Sequence, residues 1–185
     1  MEKLKKGFNR VCGGLAWPTI EAPAYFCIFS QREKENRFGK RPLIQVFELE
    51  DYKGSIDRFF KQVSEAAEDF KVHLTYGDVE DSAFYEKAKS YGLYMPQKLT
   101  GMKDFNYGLK IIKMWANADA IKTLEGSILR SQLASLRESE LGEAALKYNA
   151  VNGLRFVCQG IDDREDGRPL SDSTLGGLDI ESMRG

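Results

Sequence analysis

Val72-His73-Leu74-Thr75-Tyr76-Gly77-Asp78 is the stretch on which the reading of the fold turns. Val72, Leu74 and Tyr76 alternate with His73 and Thr75, the period of a strand, and Gly77-Asp78 breaks the run as a strand-to-loop exit does. Just before it, Ile56, Phe59, Phe60, Val63, Ala67 and Phe70 recur at i, i+3, i+4, i+7, i+11 and i+14, which makes one wide apolar helix face. Ser55 is placed to cap that helix, and Asp57 lies in its first turn, where the dipole favours negative charge. Further back are two β-rich runs. Ala24-Tyr25-Phe26-Cys27-Ile28-Phe29-Ser30 is nearly all apolar, as suits a strand covered on both faces. Leu43 to Glu50 begins apolar and then alternates, and a hairpin joins the two most economically. The order is therefore strand, strand, helix, strand. Asp81-Ser82 then opens another helix, with Phe84, Ala88 and Tyr91 inward and Gly92 as its stop.

Outward from this centre the pattern weakens. Pro18, Pro23 and Gly13-Gly14 mark an irregular approach to the first strand. Residues 93–108 read as a connection, and Leu109 to Trp115, which suits either a strand or the start of a helix, is assigned as strand. Asp119 to Glu138 has a helical pattern weakened by Gly126, and Glu140 to Gly160 a further one, with Leu146, Ala150, Leu154, Val157 and Ile161 on one side. The expected fold class is α/β, a mixed β-sheet covered by helices. The expected division is a basic irregular lead-in over 1–23, a single α/β domain over 24–161 and an acidic flexible tail over 162–185.

A chain of 185 residues with 42% apolar and 30% charged residues suits one globular domain. No stretch approaches the roughly 20 apolar residues of a membrane span, and the basic start lacks the apolar core of a signal peptide. A cytoplasmic protein with no membrane partner is expected. Cys12, Cys27 and Cys158 are too scattered for a disulfide framework or a zinc site and read as small buried groups. A Ser or Cys nucleophile normally needs a positioned base, and His73, the one histidine, reads as a packed strand residue. No phosphate-cradling G-x-x-x-x-G-K-[ST] loop and no G-x-G-x-x-G fingerprint occurs, which argues against ATP hydrolysis and dinucleotide redox chemistry.

The net charge of −1 conceals a gradient. Residues 1–41 carry nine Lys/Arg against four Asp/Glu, and residues 162–185 carry three against seven. Arg32, Lys34, Arg37, Lys40 and Arg41 crowd one connection, with Phe38 among them able to stack on a base. Glu33 and Glu35 dilute the charge, so a hydrated hairpin tip is the competing account. The charged ends also suit a protein partner.

The stretch from Tyr25 to Asp78 resembles the core of the ribonuclease H-like family, and the whole chain is more loosely similar to nuclease domains of phage terminase large subunits. That resemblance implies hydrolysis of phosphodiesters by two divalent ions, Mg or Mn, held about 4 Å apart by clustered carboxylates. Asp78 matches a position where the family places a metal ligand. The family's first strand also carries an essential Asp, whereas Tyr25 to Ser30 holds no carboxylate. Glu48, Glu50, Asp81 and Asp163 are the carboxylates open to recruitment. Turn formation and capping compete for Asp78 and Asp81, and solvation competes for Glu48, Glu50 and Asp163. The favoured expectation is a non-catalytic nucleic-acid-binding or assembly module of phage or mobile-element kind, without cofactor. The alternatives are a divalent-metal-dependent nuclease with relocated carboxylates and an unrelated α/β domain that binds a small molecule.

Overall fold

A computed structural model describes residues 8–51, 54–95, 104–136 and 147–165. Strands β1 (Phe8–Ala16), β2 (Ala24–Arg32) and β3 (Leu43–Asp51) are followed by α1 (Ile56–Asp69), β4 (Leu74–Gly77) and α2 (Ser82–Ser90). The chain continues through α3 (Phe105–Asn117), β5 (Ile121–Lys122), α4 (Ile128–Ser135) and α5 (Asn149–Glu165). One sheet results, in the order β4-β1-β2-β3-β5. β1, β2 and β3 are antiparallel neighbours, β4 lies parallel to β1, and β5 lies parallel to β3. An antiparallel meander, a crossover helix and a fourth strand returned beside the first make the ribonuclease H-like arrangement expected from the element order. The first strand of that arrangement is β1, however, and not β2.

That shift corrects the expected lead-in over 1–23, because Phe8–Ala16 is a nine-residue strand. Gly13 and Gly14 are no bend; they lie inside it. A Cβ on Gly14 would collide with the carbonyl oxygen of Gly153 in α5, so the glycine permits backbone-to-backbone approach of helix and sheet. With β1 on one side and β3 on the other, β2 is enclosed, which explains its unbroken burial from Ala24 to Gln31.

Helices cover both faces. Val11, Leu15 and Trp17 of the β1 segment and Phe26 and Ile28 of β2 pack with Phe59, Phe60 and Val63 of α1 and Ala88 of α2. Cys12, Tyr25, Cys27, Leu74 and Tyr76 face the other way, against Ile111 and Trp115 of α3, Leu129 of α4, and Leu154 and Val157 of α5. The capping expected of Ser55 is present, its hydroxyl accepting from Asp57 N–H at 3.2 Å. The stop at Gly92 is present too, at φ +82°.

Three expected elements differ. The segment assigned as strand, Leu109 to Trp115, lies within α3, which Asp104 caps through Tyr107 N–H; Phe105, Gly108, Ile111, Ile112 and Trp115 make its buried face at helical spacing. The helix expected over 119–138 is instead β5 and α4, separated at Gly126, whose φ of +70° is left-handed. Helix α5 starts at Asn149 and runs to Glu165, into the expected tail; residues 137–146 and 166–185 lie outside the described residues. Among the described residues no helix is long and apolar enough to cross a membrane.

Candidate functional site

Parallel pairing of β1 and β4 brings Leu15 opposite Gly77, so both strands end at one edge of the sheet. Asp78 and Trp17 lie just beyond those strand ends. Asp78 Oδ1 accepts from Glu80 N–H at 2.9 Å, and its main-chain carbonyl accepts from Trp17 Nε1 at 2.6 Å. The carboxylate thus shapes the strand exit, in the manner of an Asx turn. Above it Asn149 Nδ2 donates to the carbonyls of Trp17 (2.8 Å) and Pro23 (2.6 Å), which ties α5 to the β1–β2 connection. Asn152 Nδ2 donates to Asn149 Oδ1 at 3.5 Å, and Asn152 Oδ1 accepts from Arg155 Nε at 3.2 Å. The Arg155 guanidinium lies 4.3 Å from the Phe156 ring centroid and 5.6 Å from that of Phe105. Burial lowers its pKa to about 10 against the opposing pull of Asp78 and Asp104, so Arg155 remains a cation at neutral pH. Gln132 Oε1 accepts from Ala150 N–H (2.9 Å) and Val151 N–H (3.4 Å) and so caps the helix.

The other expected carboxylates do not join Asp78. Asp81 is exposed and caps α2 through Phe84 N–H at 3.3 Å. Glu48 accepts from Tyr25 OH (2.7 Å), Gln45 Nε2 (3.1 Å), Ile128 N–H (2.8 Å) and Leu129 N–H (3.4 Å), and thereby seats the N-terminus of α4 on the sheet. Glu50, on β3 opposite Tyr25 of β2, lies three strand spacings or about 14 Å from β4. The backbone of Asp163 lies about 21 Å along α5 from Asn149, towards the opposite end of the sheet. Among the described residues no cluster of three or more His, Cys, Asp or Glu could hold a metal ion. β1 carries no carboxylate either, and Cys12 is buried against the face that α5 covers. Among the described residues oxygen ligands for two hard divalent ions are not assembled, and the buried guanidinium opposes their charge, so these residues by themselves do not fit a two-metal centre.

Partial burial and then Glu48 raise the pKa of Glu50 above the ordinary carboxylate value. As pH rises the unfolded state ionises first, so wild-type stability falls from about pH 4.3, the unfolded value, up to the folded pKa. Glu50→Gln is therefore expected to raise Tm at pH 7, with no gain below about pH 4. A thermal-melt series across pH checks this; an equal gain at pH 3 would contradict it.

The basic connection joins β2 to β3 at the other end of the sheet, since Phe8 pairs with Arg32 whereas Ala16 pairs with Tyr25. Arg32, Lys34, Arg37 and Phe38 are exposed and Arg41 is partly buried. Lys40 is engaged elsewhere: its Nζ lies 3.4 Å from Asp162 and 5.0 Å from the Trp115 ring centroid. Four of the five expected cations thus remain turned to solvent or partly so, against Glu33 and Glu35. His73 stands beside β4, where its Nδ1 accepts from Val11 N–H at 3.4 Å on the wall of a cleft of about 300 Å³ that Glu68, Thr75 and Tyr94 also line.

Sequence reasoning missed Asn149, Asn152, Arg155 and Asn36. The first three had a signal, because they are polar residues at three-residue spacing in a stretch, residues 149–158, that is otherwise apolar or glycine, and such residues must find partners on burial. No protein-family model matches the chain, and no curated protein matches it significantly. Among solved structures it is similar to the nuclease domain of the large terminase of bacteriophage SPP1 with bound Mn, at 18% identity and a TM-score of 0.49, over 69% of this chain and 67% of that one. It is also similar to T. thermophilus RuvC in complex with a Holliday junction substrate, at 9% identity and a TM-score of 0.38, over 85% of this chain and 96% of that one.

Proposed function

We propose that this protein is a non-catalytic nucleic-acid-binding or assembly module on a ribonuclease H-like scaffold, with its binding surface at the β2–β3 tip. The observation that supports this reading is the composition of the sheet end. Asn149, Asn152 and Arg155 of α5 form a hydrogen-bonded polar row, with Asn149 bonded to the β1–β2 connection, and the Asp78 carboxylate is committed to a turn. Exposed cations able to meet phosphates lie at the opposite end, on the connection between β2 and β3. Such a division separates binding from any cutting site.

Purified protein is expected to leave single- and double-stranded DNA and RNA intact in magnesium or manganese, and to retain nucleic acid more strongly at low salt. Reversal of Arg32, Arg37 and Arg41 to Glu weakens retention on every sequence alike and flattens the plot of log K against log salt by about 0.7 to 0.9 per lost phosphate contact. Cleavage in manganese that vanishes with Asp78→Ala would establish the nuclease alternative. Absence of salt-sensitive retention would make a protein the better partner for this end.

A further inference from the structure

The tip is built to a fixed shape, and one side chain organises it. Asn36 Oδ1 accepts from Phe38 N–H (3.0 Å) and Lys40 N–H (3.2 Å), while Asn36 N–H donates to the Lys40 carbonyl at 2.8 Å. Gly39 N–H donates to the Asn36 carbonyl at 3.0 Å, and Gly39 takes the left-handed conformation, φ +73°, that closes such a turn. The same Asn36 reaches out of the loop: Nδ2 donates to the Ala118 carbonyl at 2.6 Å, at the C-terminal end of α3. The loop is thereby pinned to the body of the protein. At its apex Phe38 is 51% exposed, and the Arg37 guanidinium lies 4.7 Å from its ring centroid.

A hydrated tip has no need of a large aromatic ring, and the sheet and helices form their cores without this one. A half-exposed ring with an arginine against it is the arrangement that stacks on a base while neighbouring cations meet the adjoining phosphates. A base is available for stacking where it is unpaired, whereas in duplex it already stacks on its neighbours. On the reading given under the proposed function, we infer that the tip takes single-stranded nucleic acid without sequence preference, with Phe38 as the stacking platform and Asn36 as the residue that positions it.

The test measures binding of a fluorescent oligo-dT strand and of a blunt DNA duplex to the full chain at one ionic strength. Phe38→Ala is expected to weaken the single strand about 5- to 150-fold and to spare the duplex, and Phe38→Trp to restore binding. Asn36→Ala weakens the single strand in the wild-type background but adds nothing to Phe38→Ala, a coupling that a merely structural role would not produce. Equal loss on both probes, or retention of both with no dependence on Phe38, overturns this inference and leaves the proposed function standing. Failure of the wild type to hold either probe overturns this inference together with the DNA-binding part of the proposed function, and leaves the assembly role, with a protein as the partner.

Discussion

Phe60→Ala is expected to lower the free energy of unfolding by about 3 to 5 kcal/mol, the range for removal of a fully buried phenylalanine. Phe60 is 0% exposed and sits at the centre of an aromatic cluster between α1 and the sheet. Its ring is stacked on Tyr91 with centroids 5.7 Å apart, meets Phe59 edge-on at 5.8 Å and lies 6.0 Å from Trp17, which in turn stacks on Phe84. Truncation removes three ring contacts and leaves a cavity that α1, β1 and α2 border together, so no single element can collapse into it. Urea unfolding followed by fluorescence and circular dichroism measures the effect. A loss under about 1 kcal/mol with an unchanged m-value would mean that the face of α1 is not the core.

Glu48→Ala is expected to cost about 3 kcal/mol, since hydrogen bonds to a charged acceptor are worth about 1.5 to 3 kcal/mol each and buried donors left unpaired add their desolvation. Four donors converge on this carboxylate: Tyr25 OH, Gln45 Nε2 and the N–H groups of Ile128 and Leu129. Burial holds the Tyr25 phenol well above its ordinary pKa, with Cys27 and Glu48 acting in the same direction, so it stays protonated and donates. The two main-chain N–H groups are orphan donors of the first turn of α4, where a negative charge also meets the helix dipole. Glu48→Gln keeps an acceptor without the charge and should lose about half as much. Hydrogen exchange locates the damage: faster exchange confined to α4 and its seat on β3 is the expected result. Exchange unchanged there would show that Glu48 is ordinary strand edge.

The carboxylates show how differently chemistry and scaffold can be read from a chain. Asp78, Asp81, Glu48, Glu50 and Asp163 were all visible as residue types near strand and helix ends, and the turn and capping roles of Asp78 and Asp81 followed from local spacing. Their distribution over both ends of the sheet was not visible, because distance between elements depends on strand order and helix direction. The reach of Asn36 to α3 could not be found from sequence, since its partner carbonyl at Ala118 is 82 residues away.

What the sequence by itself determined is whatever has a local period or a local cap. Helix α1 declared itself through six apolar residues on one face and Ser55 at its start, and β2 and β3 through their apolar and alternating runs. The tertiary structure alone decided where the first strand lies. Gly13 and Gly14 carry the local signature of a bend, yet the crossing of α5 requires side-chain-free backbone in mid-strand, and no neighbouring residue records that demand. It alone decided, too, that Asn149, Asn152 and Arg155 stand together at the end of β1 and β4. A buried polar group is defined by partners that satisfy it, and Asn149, the residue that ties this group to the sheet, finds its partners in a chain segment more than a hundred residues away.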